Sequence, residues 1–152
     1  MFKRILVPVD GSSTSALGIA AAIRLAKEQQ ARIRLIHVVD ELVLMSSPDA
    51  GIMIGEAIDM LRDSGKDILA KAVARVRKAG IVVESTLVES VGGRAADLIV
   101  RDAKKWKADI IVIGTHGRRG LKRVVMGSDA EEVVRNTSIP VMLVRAPAKR
   151  GR

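Results

Sequence analysis

Short runs of β-branched and aliphatic residues alternate along this chain with longer stretches of helical periodicity. The strand-like runs cover residues 4–10, 32–38, 81–88, 109–113 and 141–144, and helices are predicted over 14–29, 56–79, 94–106 and 128–137. The first, second and fourth runs are almost entirely apolar at their centres, which is typical of strands buried on both faces of a parallel sheet. The unbroken alternation predicts an α/β fold, a doubly wound five-stranded parallel sheet with helices on both faces.

The composition limits what such a fold can bind. Hydrophobic residues make up 48% of the 152 positions, yet Phe2 and Trp106 are the only aromatic residues. A module that stacks nucleic-acid bases needs several aromatic rings on one face, so this mode of binding is excluded. The chain has no cysteine, which excludes disulfides and thiolate metal sites.

The hydrophobic runs are too short to span a membrane, because a charged residue interrupts each of them within about ten residues. The first residues, MFKRILVPVDGSS, lack the apolar stretch and the small-residue cleavage site of a signal peptide. We therefore expect a cytoplasmic protein with no membrane partner.

The net charge of +9 is concentrated in two short segments. Eight of the 26 basic residues lie in 118–123 and 145–152, which contain no acidic residue, so the rest of the chain is nearly neutral. We predict one domain over residues 1–146, followed by a basic tail over 147–152. The positive charge is confined to one loop and one tail and does not cover a face of the domain. Nucleic acid is therefore a poor candidate for the partner.

The loop after the fourth strand carries the clearest sign of a ligand. Open α/β sheets bind ligands beyond the carboxyl ends of their strands, where the strand order reverses. Glycines let the backbone of this loop approach a ligand closely, and Ser128 is predicted to be the N-cap of the next helix. Loop amides and a helix N-terminus together favour a phosphate. The structural alternative is that these glycines only form turns and that Ser128 only caps its helix.

The spacing Gly-x2-Gly-x9-Gly-Ser, formed by Gly114, Gly117, Gly127 and Ser128, resembles the motif of the ATP-binding universal stress proteins. Residues 5–12 (ILVPVDGS), 35–39 (LIHVV) and 136–144 (NTSIPVMLV) are also similar to that family. The resemblance implies strand order 3-2-1-4-5, a homodimer formed through the strand Val141–Val144, and a role in stress survival.

The resemblance also implies roles for individual residues. Backbone groups of Val38 would read the adenine of ATP, while Pro8, Val9 and Asp10 would flank the adenine and the ribose. The residues implied around the ribose and the phosphates are Ile113, Gly114, His116, Gly117, Gly127 and Ser128.

Two positions after the motif depart from the common family pattern. Asp129 and Ala130 stand where a small apolar residue and a hydroxyl residue are usual. Asp129 would bring a negative charge close to the phosphates, so we expect ATP to bind together with Mg²⁺ or Mn²⁺.

The other candidate residues are less specific. His37 is predicted to be a core histidine, and two isolated histidines do not make a zinc site. Arg118 and Arg119 are either phosphate contacts or solvated side chains. Met45, Met53 and Met60 are expected to pack beneath the long connection over residues 40–55.

Three functions compete at this point. The leading hypothesis is a regulatory module that binds ATP without rapidly hydrolysing it. The second is a slow ATP hydrolase or an adenylyl-transferring enzyme, although the sequence shows no Ser-His-Asp spacing and no carboxylate cluster for two metals. The third is a nucleic-acid binder that uses the basic loop and tail.

Overall fold

A computed structural model describes residues 1–41, 54–115 and 126–147. In these ranges five strands alternate with four helices, in the predicted order and close to the predicted bounds. They are β1 Arg4–Pro8, α1 Ser13–Gln29, β2 Arg32–Asp40, α2 Ile54–Lys78, β3 Val83–Ser90, α3 Ala95–Trp106, β4 Ile110–Gly114, α4 Ser128–Asn136 and β5 Val141–Val144. Most of the long connection and of the basic tail lies outside the described residues.

The strands form one parallel sheet in the order β3-β2-β1-β4-β5, which confirms the predicted fold and strand order. β1 pairs with β2 on one side and with β4 on the other. The Asp109 carboxylate, just before β4, accepts hydrogen bonds from the backbone N–H groups of Lys3 and Arg4, each at 2.8 Å. Because β2 and β4 lie on opposite sides of β1, the order of strand addition reverses between β1 and β4. A crevice is expected at the carboxyl ends of these two strands.

Helices cover both faces of the sheet, and each face has its own hydrophobic cluster. Ile5 and Val7 of β1 point towards α1 and α2, whereas Leu6 points towards α3 and α4. All three side chains are fully buried. Successive strand residues point to opposite faces, so a strand covered on both faces must be apolar throughout.

The expectation that three methionines pack beneath the long connection is not tested, because most of that connection lies outside the described residues. Met60 lies on α2 with 73% of its surface exposed. Met45 and Met53 lie outside the described residues.

Candidate functional site

The carboxyl ends of β2, β1 and β4 lie side by side, and they bring together predicted site residues from distant parts of the chain. Pairing between β1 and β2 ends at Pro8 and Ile36, and the Val9 N–H donates to the Ile36 carbonyl at 2.8 Å. The predicted residues that the structure places along this edge are Pro8, Val9, Asp10, Val38, Ile113 and Gly114.

The backbone of Val38 extends past the last pair of the β1–β2 ladder. β2 continues to Asp40, while the paired part of β1 ends two residues before the level of Val38. The Ile36 carbonyl faces β1, and backbone groups two residues apart in a strand face the same side. The N–H and C=O of Val38 are therefore directed towards the crevice beyond β1.

Asp10 belongs to a hydrogen-bonded turn that leads from β1 into α1. Its carboxylate accepts from the Ser12 N–H at 2.9 Å, and its own N–H donates to the Ser15 hydroxyl at 3.3 Å. Ser12 is the N-cap of α1 and accepts from the Ser15 N–H at 3.1 Å. Our sequence prediction missed Ser12 and Ser15, although a serine just before an alanine-rich helix is an N-cap signal.

Gly114 lies where the end of β4 meets the first turn of α1. A Cβ added at this position would be 2.7 Å from the Thr14 carbonyl oxygen and 3.1 Å from the Ser15 nitrogen. Side chains do not tolerate such distances, so this glycine is required for packing whether or not a ligand is present. Gly114 is therefore explained without a ligand, as the structural alternative holds. The reason is the close approach of β4 to α1 and not a turn.

The segment after β4 returns to the same edge. The Gly127 N–H donates to the Thr115 carbonyl, and the Thr115 N–H donates to the Val144 carbonyl at 2.9 Å. The Gly127 carbonyl accepts from the Glu131 N–H at 3.0 Å, which makes Gly127 the N-cap of α4. The prediction of Ser128 as N-cap is wrong by one residue, because Ser128 is already the first helical residue.

The first turn of α4 contains both residues that depart from the family pattern. Asp129 lies in this turn as predicted, and it is exposed. Ala130 is 3% exposed and packs in the cluster formed with α3. His116, Gly117, Arg118 and Arg119 lie outside the described residues, so their implied roles stay predictions.

An ion-pair network occupies the part of the edge formed by β2 and β3. Arg62 of α2 donates to both Glu89 carboxylate oxygens, one at 2.9 Å, and lies 3.1 Å from Asp59 and 3.9 Å from Glu41. The hydrogen bond from Arg62 holds the pKa of the Glu89 carboxyl below its usual value and raises the pKa of the Arg62 guanidinium. Arg62 is therefore occupied by carboxylates and is a poor candidate for a phosphate contact.

Within residues 1–41, 54–115 and 126–147, no three histidine or acidic side chains are grouped so that they could hold a metal ion. In the same ranges no helix has the length and apolar character needed to cross a membrane. The described edge offers mainly backbone amides, hydroxyl groups and the N-termini of α1 and α4, which is a chemistry suited to hold an anion.

The sequence model of the universal stress protein family matches residues 1–145. The chain belongs to this family. A universal stress protein of Methanocaldococcus jannaschii, MJ0531, is 36% identical to it over 151 residues, which are 98% of this chain and 85% of the relative.

Solved structures of the family share the fold of this universal stress protein. MJ0577 of Methanocaldococcus jannaschii superimposes with a TM-score of 0.84 at 26% identity, covering 97% of this chain and 98% of the other. The universal stress protein of Archaeoglobus fulgidus, solved in complex with dAMP, gives a TM-score of 0.65 at 25% identity. That match covers 94% of this chain and 98% of the other.

Proposed function

We propose that this universal stress protein binds ATP at the carboxyl ends of β2, β1 and β4, and that occupancy of the site is its regulatory signal in the stress response. One observation carries the proposal. A continuous set of contacts runs from Gly127 through Thr115 and Gly114 to the turn at Asp10. Residues more than a hundred positions apart thus lie together along one edge of the sheet.

Adenine recognition by backbone groups is supported by the extension of β2 past β1. The N–H and C=O of Val38 can pair with the edge of adenine without an aromatic platform, which the chain lacks. Pro8, Val9 and Asp10 would flank adenine and ribose, and Asp10 would accept from the ribose hydroxyls. The dAMP complex of the Archaeoglobus fulgidus relative supports an adenine nucleotide as the ligand class.

Phosphate binding is assigned to the segment between β4 and α4. The first amides of α4, next to Gly127 and Ser128, carry the positive end of the helix dipole. Ile113 and Gly114 end the preceding strand. His116 and Gly117 are assigned to the phosphates by the family spacing alone, and Asp129 is assigned to a nucleotide-bound Mg²⁺ or Mn²⁺.

The proposal includes a cytoplasmic homodimer. β5 lies at an edge of the described sheet, and Met142 and Leu143 are 36% and 40% exposed. An exposed apolar edge strand favours pairing with a second copy.

Nucleotide binding is tested by thermal unfolding and by calorimetric titration with ATP and GTP. ATP at about a hundred times its dissociation constant should add about 2.7 kcal/mol to the free energy of unfolding. Gly117→Val should abolish this gain, because a branched side chain would stand where the backbone is expected to meet phosphate. Gly55→Val is the matched control, since a Cβ at Gly55 would meet no atom within 4 Å.

A wild-type protein that shows no stabilisation by ATP and carries no adenine nucleotide after purification would refute the proposed function. A folded Gly117→Val variant with the full gain would refute only the assignment of the phosphate segment. Equal binding of GTP would contradict readout of adenine by Val38.

A further inference from the structure

The peptide unit that joins Val9 to Asp10 is held from both sides by buried side chains. Its carbonyl accepts from His37 Nδ1 at 2.7 Å, and its N–H donates to the Ser15 hydroxyl at 3.3 Å. Since a carbonyl can only accept, the proton of the imidazole is on Nδ1. His37 and Ser15 are each 6% exposed, and neither has a role in the nucleotide contacts proposed above.

Both side chains are polar groups in buried positions. A buried polar group is unfavourable unless it is hydrogen-bonded, and an apolar residue of similar size would fill either position without that requirement. Both polar groups instead point at one peptide unit. The Val9 N–H already pairs with the Ile36 carbonyl, so the sheet fixes the preceding peptide and these two side chains fix the next one.

Space for the imidazole comes from a glycine inside α2. A Cβ at Gly65 would lie 2.7 Å from His37 Cδ2 and 2.7 Å from Leu87 Cδ1. Glycine is unfavourable in a helix interior, and α2 contains it at the point where the ring needs room. Residues of α1, α2 and β2 thus act together to hold the Val9–Asp10 peptide in one orientation.

We infer that His37 and Ser15 are positioning residues for nucleotide binding, and that they act by fixing the direction of the Asp10 side chain. The inference rests on the proposed function, in which Asp10 contacts the ribose. Rotation of the Val9–Asp10 peptide would move the carboxylate away from that contact. A site whose groups are already oriented binds more tightly because less ordering is needed on binding.

The test compares ATP affinity with stability in the absence of nucleotide. His37→Leu removes the donor and should weaken ATP binding about fivefold to tenfold, the effect of one lost hydrogen bond. His37→Asn should restore most of the affinity, because the asparagine Nδ2 can occupy the place of the imidazole Nδ1. Ser15→Ala should weaken binding about as much as His37→Leu.

Ile33→Ala is the matched control. Ile33 is fully buried at the other end of β2, so its truncation lowers stability without reaching the Val9–Asp10 peptide. This variant should retain wild-type affinity at a temperature where it is folded.

A double-mutant cycle separates positioning from a purely structural role. In an Asp10→Ala background, His37→Leu should change ATP affinity by less than about twofold, because the group through which His37 acts is gone. The same fold-loss in both backgrounds would overturn the inference, as would wild-type affinity in a folded His37→Leu protein. If His37→Leu does not fold, the same cycle with Ser15→Ala decides. Failure of the wild-type protein to bind ATP would instead refute the proposed function itself.

Discussion

Gly114 packs directly against the Thr14 carbonyl. A hydrogen atom on the Gly114 Cα faces this carbonyl, at the place where any other residue would have its side chain. The 2.7 Å between the Thr14 oxygen and a Cβ at position 114 leaves no room for even one methyl group. The end of β4 and the first turn of α1 are therefore fitted to each other through backbone atoms alone.

The first prediction is that Gly114→Ala destabilises the fold. Backbone atoms cannot move aside as a flexible side chain can, so we expect a loss of about 1–3 kcal/mol, as for other overpacked sites. Urea unfolding at neutral pH measures it. Gly93→Ala is the control, because its Cβ would meet its nearest neighbour at 4.0 Å. Wild-type stability in Gly114→Ala would mean that α1 and β4 are further apart than described.

The second prediction concerns the edge strand β5. Leu143→Lys should convert the proposed homodimer to a monomer, because a charge would enter the apolar pairing surface. Sedimentation velocity at micromolar concentration measures the change. Met60→Lys introduces the same charge on the exposed side of α2 and should leave the dimer intact. A monomeric wild-type protein would refute the proposed assembly.

The third prediction follows from Asp129 in the first turn of α4. Two like charges about 5 Å apart cost about 3 kcal/mol at an effective dielectric constant of 20, and solvent screening reduces this. A divalent cation between the carboxylate and the phosphates would remove the repulsion. Wild-type binding of ATP should therefore depend strongly on Mg²⁺ or Mn²⁺, whereas Asp129→Val should bind metal-free ATP more tightly.

Titrations with and without a chelator measure this dependence in both proteins. Glu132→Gln is the control for the change in net charge. Glu132 lies further along α4, and its carboxylate pairs with Arg94. Equal metal dependence in wild type and Asp129→Val would show that Asp129 acts only on its helix.

The fourth prediction is slow turnover of bound ATP. Because the sequence shows no Ser-His-Asp spacing and no carboxylate cluster for two metals, hydrolysis should be far below the ordinary enzyme range of about 1 to 1000 per second. Phosphate release under saturating ATP measures it. Several turnovers per second that are lost in Asp10→Asn or His116→Ala would make the enzyme hypothesis the leading one.

The fifth prediction uses the depressed pKa of Glu89. A carboxyl whose pKa is lower in the folded state stabilises the fold above its unfolded pKa, and this contribution is lost as the pH falls through the folded pKa. Glu89→Gln should therefore lower the urea midpoint at pH 7, and this deficit should be smaller at about pH 3. Glu28→Gln, on an exposed part of α1, is the control and should leave the urea midpoint unchanged at both pH values. An equal deficit at low pH would mean that Glu89 stabilises by packing.

The strands were predictable because burial on both sheet faces requires nearly continuous apolar runs, as in β1 and β4. The edge position of Asp10 followed from the same reasoning, since it comes directly after an apolar strand. Ser128 was assigned to the wrong position because an N-cap is set by which carbonyl accepts the first helical bond, and that carbonyl belongs to Gly127.

The role of His37 could be predicted only in part. Its location in an apolar strand indicated a core residue, and the structure confirms this. Its bond to the Val9 carbonyl joins residues 28 positions apart, and no local pattern indicates that distance. The same holds for Gly114, whose neighbour Thr14 is far away in the sequence.

The pairing of β1 with β4, closed by the bonds from Lys3 and Arg4 to Asp109, has a consequence for synthesis. These partners are 106 and 105 residues apart. At a translation rate of about 5–20 residues per second, β4 leaves the ribosome roughly 5–20 s after β1. During that interval the Asp10 turn has no β4 beside it and no α4 beyond it. At the proposed site, ATP would therefore stabilise only chains whose synthesis has passed α4.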